Sequence, residues 1–183
     1  MRVVLFLLDT LFFFLVAAAL LRAWMNHQRM QMTVQPGRFV MALTDWIVRP
    51  VRRMLPRPMA QSRLDWGSLM AAFLLALAYG GIWLALVTGS EPVSVSPVAM
   101  VLGILTVALK LLIRTILQGL MVLLLVYAVL SWVQPRSPVV STLDRLCAPL
   151  LRPVRRIIPT VGGVDLSVLV LIILLQVGLM ILG

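Results

Sequence analysis

Among 183 residues there is one cysteine, Cys147, and one histidine, His27. A lone thiol excludes an internal disulfide and any cysteine-built zinc or iron–sulfur site. A haem or metal held by His27 would need a second ligand of the right type. Met25, Met30 and Met32 lie close in sequence but are ordinary apolar residues for a membrane interface. Only six residues are acidic, and they are scattered. No pair of carboxylates suited to one cleft, no Ser-His-Asp set and no phosphate-cradling glycine loop can be traced. Catalysis therefore has no visible carriers, no cofactor or metal is expected, and the chain is read as a non-enzyme.

Charge as a whole is scarce. It makes up 12% of the chain, against about a quarter in a soluble domain. Hydrophobic residues make up 62%, and the mean hydropathy is +1.07. A chain of this length could bury one ordinary soluble core, but not this much apolar surface, so lipid is the solvent implied. The charge present is basic: 16 lysines and arginines against six acids, a net +10, with Lys110 the one lysine. In a soluble protein this balance would suggest nucleic acid. Here the basic residues fall between apolar runs, where each gains about 1 kcal/mol from anionic headgroups. Anionic lipid is thus the expected partner, and nucleic acid is not.

Four runs are long and apolar enough to read as spans, at about 20 residues for a bilayer core. They cover about 3–25, 66–88, 111–133 and 165–182. The first is read as a retained span, because it is longer than a signal-peptide core and far more positive charge follows than precedes it. The stretch Val98–Val133 is one nearly unbroken helical pattern, ~54 Å if straight. Lys110 and Arg114 interrupt it. The simplest expectation is a short outer helix, Pro97–Leu109, a bend near Lys110 and then the third span, with one long tilted helix as the alternative. Loop charge sets orientation. Arg29, Arg38, Arg49, Arg52, Arg53, Arg57 and Arg63 fill one loop, and Arg136, Arg145, Arg152, Arg155 and Arg156 another. The connector Thr88–Ser96 has no basic residue and carries Glu91. Both arginine loops are expected in the cytoplasm and both termini outside. The resulting organisation is all-α and polytopic: a first repeat over 1–90, an outer connector over 91–110 and a second repeat over 111–183.

The repeats share a motif. Arg49-Pro50-Val51-Arg52-Arg53-Met54-Leu55-Pro56 returns as Arg152-Pro153-Val154-Arg155-Arg156-Ile157-Ile158-Pro159. Each copy ends an amphipathic stretch. At 100° per residue, Leu143, Leu146, Cys147, Leu150, Leu151, Val154, Ile157 and Ile158 share one face. Asp144, Arg145, Arg152, Arg155 and Arg156 share the other. Phe39, Val40, Leu43, Trp46, Ile47, Val51 and Met54 oppose Asp45, Arg49, Arg52 and Arg53 in the same way. The pattern suits a helix lying in the membrane interface, and the arginine pairs make a re-entrant hairpin the costlier geometry. Pro149 and Pro153 suggest two short helices in the second copy. Pro159 is expected to stop the element, and Gly162-Gly163 to turn the chain into the last span. Asp65 and Asp165 stand where they cap the spans that follow.

Within the spans, Asp9, Lys110 and Arg114 either pair near the outer side or reach separately to the outer headgroups. Gln176 suits an amide hydrogen bond between helices. Ala72, Ala76 and Gly80 form a small-residue stripe suited to close helix contact, within one chain or across a dimer.

The second half resembles the YggT family of small bacterial and chloroplast membrane proteins. The resemblance lies in Leu130-Ser131-Trp132, in Leu150 to Pro159, and in Gly162-Gly163-Val164-Asp165-Leu166-Ser167. The first half is similar but more diverged, through Arg22-Ala23-Trp24, Thr44-Asp45, Arg49 to Pro56 and Leu64-Asp65-Trp66. Cys147-Ala148 stands where the family commonly has Thr and an acidic residue, which Thr44-Asp45 keeps. Arg57-Pro58-Met59-Ala60 replaces the glycine turn. If the acid pairs with the arginines, the two copies are not equivalent.

The resemblance implies a cytoplasmic-membrane protein of two tandem two-span repeats. It also implies links to envelope or osmotic stress, membrane organisation or assembly of membrane complexes. The leading expectation is a non-enzymatic inner-membrane scaffold or assembly factor. It would bind anionic lipid, a membrane protein partner or both through Arg49, Arg52, Arg53, Arg152, Arg155 and Arg156, and homo-oligomers are compatible with it. The alternative is a subunit of an oligomeric channel or transporter for osmotic adjustment, motivated by the duplication and by Asp9, Arg114 and Gln176.

Overall fold

A computed structural model describes residues 2–30, 37–56, 64–89, 96–156 and 165–183. Arg57, Arg63, Glu91, Ile157, Ile158, the expected stop at Pro159 and the turn at Gly162-Gly163 lie outside the described residues, as does the Arg57–Ala60 departure. Among the described residues the chain is all-helical: α1 Arg2–His27, α2 Gly37–Met54, α3 Trp66–Thr88, α4 Pro97–Val133, α5 Pro138–Arg155 and α6 Leu166–Leu182. Three of these, α1, α3 and α4, are long and apolar enough to cross a membrane, and α6 is a shorter apolar helix. At 17 residues, α6 is ~25 Å long.

Local chemistry accounts for the helix ends. Asp65 and Asp165 accept hydrogen bonds from the amides of Ser68 (3.2 Å) and Ser167 (3.0 Å), capping α3 and α6. Ser137 caps α5, with Pro138 in the first turn where no amide is missed. After α1 the chain turns at Arg29, whose φ of 52° lies in the left-handed region. There the Met30 amide reaches back to the Met25 carbonyl (3.1 Å), the kind of bond that closes a helix.

Two expectations are corrected. The stretch 97–133 is one helix of 37 residues, not a short outer helix followed by a separate span. Lys110 and Arg114 do not break it. No proline lies between Pro97 and Val133, and a helix in lipid keeps its backbone bonds because nothing else can satisfy them. At ~55 Å it is longer than the ~30 Å hydrocarbon layer of a bilayer. The second correction concerns α5, which runs unbroken through Pro149 and Pro153. Both prolines are exposed, spaced four apart on one face. The ladder bonds they remove therefore lie on the polar side, while Val140, Leu143, Leu146, Cys147 and Leu151 hold the other side in place. Neither α2 nor α5 is a hairpin.

The chain divides into two compact units, 1–115 and 116–183, with the division inside α4. In the first, Phe12, Val16 and Ala19 of α1 pack against Ala72, Leu75, Ala76 and Tyr79 of α3, with Ala108 and Leu111 of α4. The small-residue stripe is consumed within the chain. At Gly80 a Cβ would lie 2.7 Å from the Ile104 carbonyl oxygen, so α3 and α4 approach there to backbone contact. Helix α2 adds Val48 and Val51 against Ala71. In the second unit Leu124 of α4, Cys147 and Leu151 of α5 and Val168 of α6 form the core.

Candidate functional site

Within the first unit α2 is tied to α1 and to the start of α3 by ion pairs. Arg22, near the end of α1, has a side chain only 6% exposed. Its Nη1 donates to Thr44 Oγ1 and Asp45 Oδ1, each at 2.8 Å. Asp45 Oδ2 also receives Arg49 at 2.6 Å. Burial opposes ionisation of Asp45, but the bond and charge of Arg22, joined by Arg49, outweigh it and hold the carboxyl below its usual range.

The second tie is at Asp65, whose side chain is almost buried. Its Oδ2 accepts from Arg52 Nη2 (2.7 Å), Asn26 Nδ2 (2.6 Å) and Ser68 Oγ (2.7 Å). Burial again raises its pKa, and these three donors, with the Arg52 charge, bring it below the ordinary value. The stem of Arg52 lies across Gly67, where any Cβ would overlap its Cγ. A side chain at 67 would therefore force the Arg52 stem to shift from this path to the cap.

The second unit reaches the same end by a different route. Arg155, the counterpart of Arg52 in the motif, donates from Nε to Asp165 Oδ2 at 2.7 Å, and its Nη2 approaches the same oxygen at 2.7 Å. That Nη2 also donates to Tyr127 Oη at 3.3 Å, and Tyr127 donates to Asp144 Oδ1 at 2.9 Å. Burial lowers the Arg155 pKa, but its bonds to Tyr127 and Asp165 more than offset this and leave it raised. The Arg22–Thr44–Asp45 set has no equivalent. Cys147-Ala148 occupies the Thr44-Asp45 positions, and Leu130 stands two residues before Trp132 as Arg22 stands two before Trp24. Cation, hydroxyl and anion are all exchanged for uncharged side chains together, so neither copy strands a buried charge.

The six motif arginines thus divide. Arg52 and Arg155 are bonded to helix caps while remaining 44% and 35% exposed. Arg49 is shared with Asp45 while staying 73% exposed. Arg53, Arg152 and Arg156 are exposed and make no ion pair among the described residues. Every described acid has an arginine partner, so these three cations have no described carboxylate left to neutralise them.

Asp9 and Arg114 lie 3.6 Å apart, and Tyr79 donates to Asp9 at 3.2 Å. All three belong to the first unit. Gln176 is exposed and makes no hydrogen bond among the described residues, so the interhelical bond expected of it is not formed there. The His27 ring lies 6.2 Å from that of Trp24. No group of three His, Cys, Asp or Glu side chains able to hold a metal occurs among the described residues. Sequence reasoning quoted Arg22 for the family resemblance alone, without a site role, and passed over Asn26 and Tyr127. The signal for Arg22 was its joint replacement with Thr44 and Asp45 between the copies. Nothing in the sequence marked Asn26 or Tyr127.

The profile of the CCB3/YggT family matches residues 1–86 and 96–183. The "Uncharacterized protein YggT" of Escherichia coli (strain K12) is 35% identical over 97% of this chain and 87% of its own length. An "Uncharacterized protein in proC 3'region" of Vibrio alginolyticus is 34% identical over 97% of this chain and 92% of its own. An "Uncharacterized protein" of Haemophilus influenzae is 31% identical over 85% and 78%. No solved structure matches the chain. With two matched segments, each holding one arginine motif between apolar helices, the chain belongs to the CCB3/YggT family.

Proposed function

We propose that this protein is a non-enzymatic scaffold or assembly factor of the bacterial inner membrane. Four spans carry two arginine-bearing helices on the cytoplasmic face, with both termini outside. The observation that carries the reading is the division of labour inside the motif. In each copy the middle arginine pins the amphipathic helix to the next span, and flanking arginines at the same register stay exposed, three of them with no described ion pair. A pinned helix holding exposed guanidinium groups is a fixed docking surface for phosphate headgroups, and for partners that meet the membrane there. A role in envelope or osmotic stress fits such a platform.

The test uses full-length protein purified with equal amounts of phosphatidylglycerol and phosphatidylethanolamine, with native mass spectrometry counting retained lipids. The wild type is expected to retain phosphatidylglycerol preferentially, and R53Q/R152Q/R156Q to lose that preference with its thermal stability unchanged. If the triple variant keeps both the lipid preference and every neighbour found by crosslinking in membranes, the reading is overturned.

A further inference from the structure

The two amphipathic helices are not equivalent on their outer faces. On α2, Phe39, Leu43, Trp46, Pro50 and Met54 fall within an arc of about 80°. This stripe is separate from the face that packs on α1 and α3, which carries Val40, Thr44, Val48 and Val51. Phe39 is 60% exposed, Trp46 61% and Met54 86%. Arg53, Arg49 and Arg38 line one border of the stripe, over roughly the next 60°. The nearest acid, Asp45, is already held by Arg22 and Arg49. The corresponding positions in the second copy are Thr142, Leu146, Pro149, Pro153 and Ile157; Ile157 lies outside the described residues, and Leu146 is buried. Val139 is the one large exposed apolar side chain described on α5.

From this asymmetry we infer that α2 inserts its stripe into the phospholipid bilayer at the level of the glycerol and upper acyl chains, while α5 does not. Three observations fix lipid as the occupant. Helix α2 is joined to the last turns of α1 by Arg22–Asp45 and to the first turn of α3 by Arg52–Asp65, so it lies where two apolar helices leave the hydrocarbon. Its stripe is bordered by cations with no free acid beside them, which complements anionic headgroups. The indole N–H of Trp46 donates to the Leu43 carbonyl at 2.8 Å, so this exposed tryptophan asks nothing of water. Pro50 sets the depth, because it deprives the Trp46 carbonyl of its helical donor and keeps the stripe within reach of interfacial water.

The inference rests on α2 lying at the membrane surface, not on arginine selectivity for lipid. Spin labels are placed at F39C, L43C and M54C on α2 and at T142C on α5, in full-length protein in nanodiscs; Cys147 is buried and stays unlabelled. Relaxation by oxygen, which partitions into lipid, is compared with relaxation by a water-soluble nickel chelate. Oxygen is expected to dominate at 39, 43 and 54 and nickel at 142. The α2 result should persist in purely zwitterionic phosphatidylcholine, since insertion is an apolar effect, so lost anionic selectivity in the mass spectrometry leaves it standing. Nickel dominance at 39, 43 and 54 overturns the inference. So do immobile labels shielded from both agents, the outcome expected if a protein or a second copy covers the stripe.

Discussion

Removing the carboxylate of Asp45 is the sharpest probe of how α2 is held. The Arg22 guanidinium is buried and has two side-chain partners, Thr44 and Asp45. In D45A it keeps the hydroxyl and loses its counter-charge. Stranding a buried ion costs about 3–5 kcal/mol. Because Asp45 is itself 25% exposed, water enters the gap and the lower end, about 3 kcal/mol, is expected. The second repeat supplies the rescue. R22L/T44C/D45A writes Leu130, Cys147 and Ala148 into the first repeat and removes the stranded cation with its partners. It should fold within about 1 kcal/mol of wild type, a strongly non-additive result. Unfolding by SDS in mixed micelles, followed by tryptophan fluorescence, gives both values. A cost below about 1 kcal/mol for D45A, or a triple variant as unstable as the single, would refute the argument that the charge pair was exchanged as a unit.

Cys147 is completely buried, and burial, aided by Asp144 and opposed by Arg155, pushes its thiol up to about 12; native protein should resist maleimide at mildly alkaline pH and react only once unfolded. Asp45 and Asp65 are both held below their ordinary value of 3.8. Their stabilisation is therefore complete above that value and is lost as pH falls through the folded-state pKa. Hydrogen exchange in α2 should stay flat over roughly pH 5–8 and rise only on acidification below ~4, after correction for intrinsic rates. G80V drives a side chain into the Ile104 carbonyl and should cost about 1–3 kcal/mol. G81A, with nothing within 4 Å, should stay within about 0.5 kcal/mol of wild type in the same titration.

Much of the helical plan was legible because it depends on residue type and order. Asp65 and Asp165 each precede an apolar run, and each caps it. Interrupted patterns were harder. Lys110 and Arg114 read as a break in α4 although Asp9, about a hundred positions away, was open to Arg114 as a partner, because charge in an apolar run was weighed above the unbroken helical pattern. Pro149 and Pro153 read as a break in α5 because proline is judged by the bond it removes, not by the side of the helix from which the bond is lost. The arginine motif was visible as a repeat but not as a division of tasks. Arg52 and Arg53 look alike in sequence, and the acid that distinguishes them, Asp65, lies 13 positions beyond Arg52.

The pairs Arg52–Asp65 and Arg155–Asp165 bridge 13 and 10 positions. Each works as a clasp between one helix end and the start of the next helix, so that distance is set by a guanidinium–carboxylate contact. That frees the intervening stretch to change in length and composition, as the two copies already do. It also makes the arginine–aspartate contact, and not the residues it encloses, the feature that any change at either place must preserve.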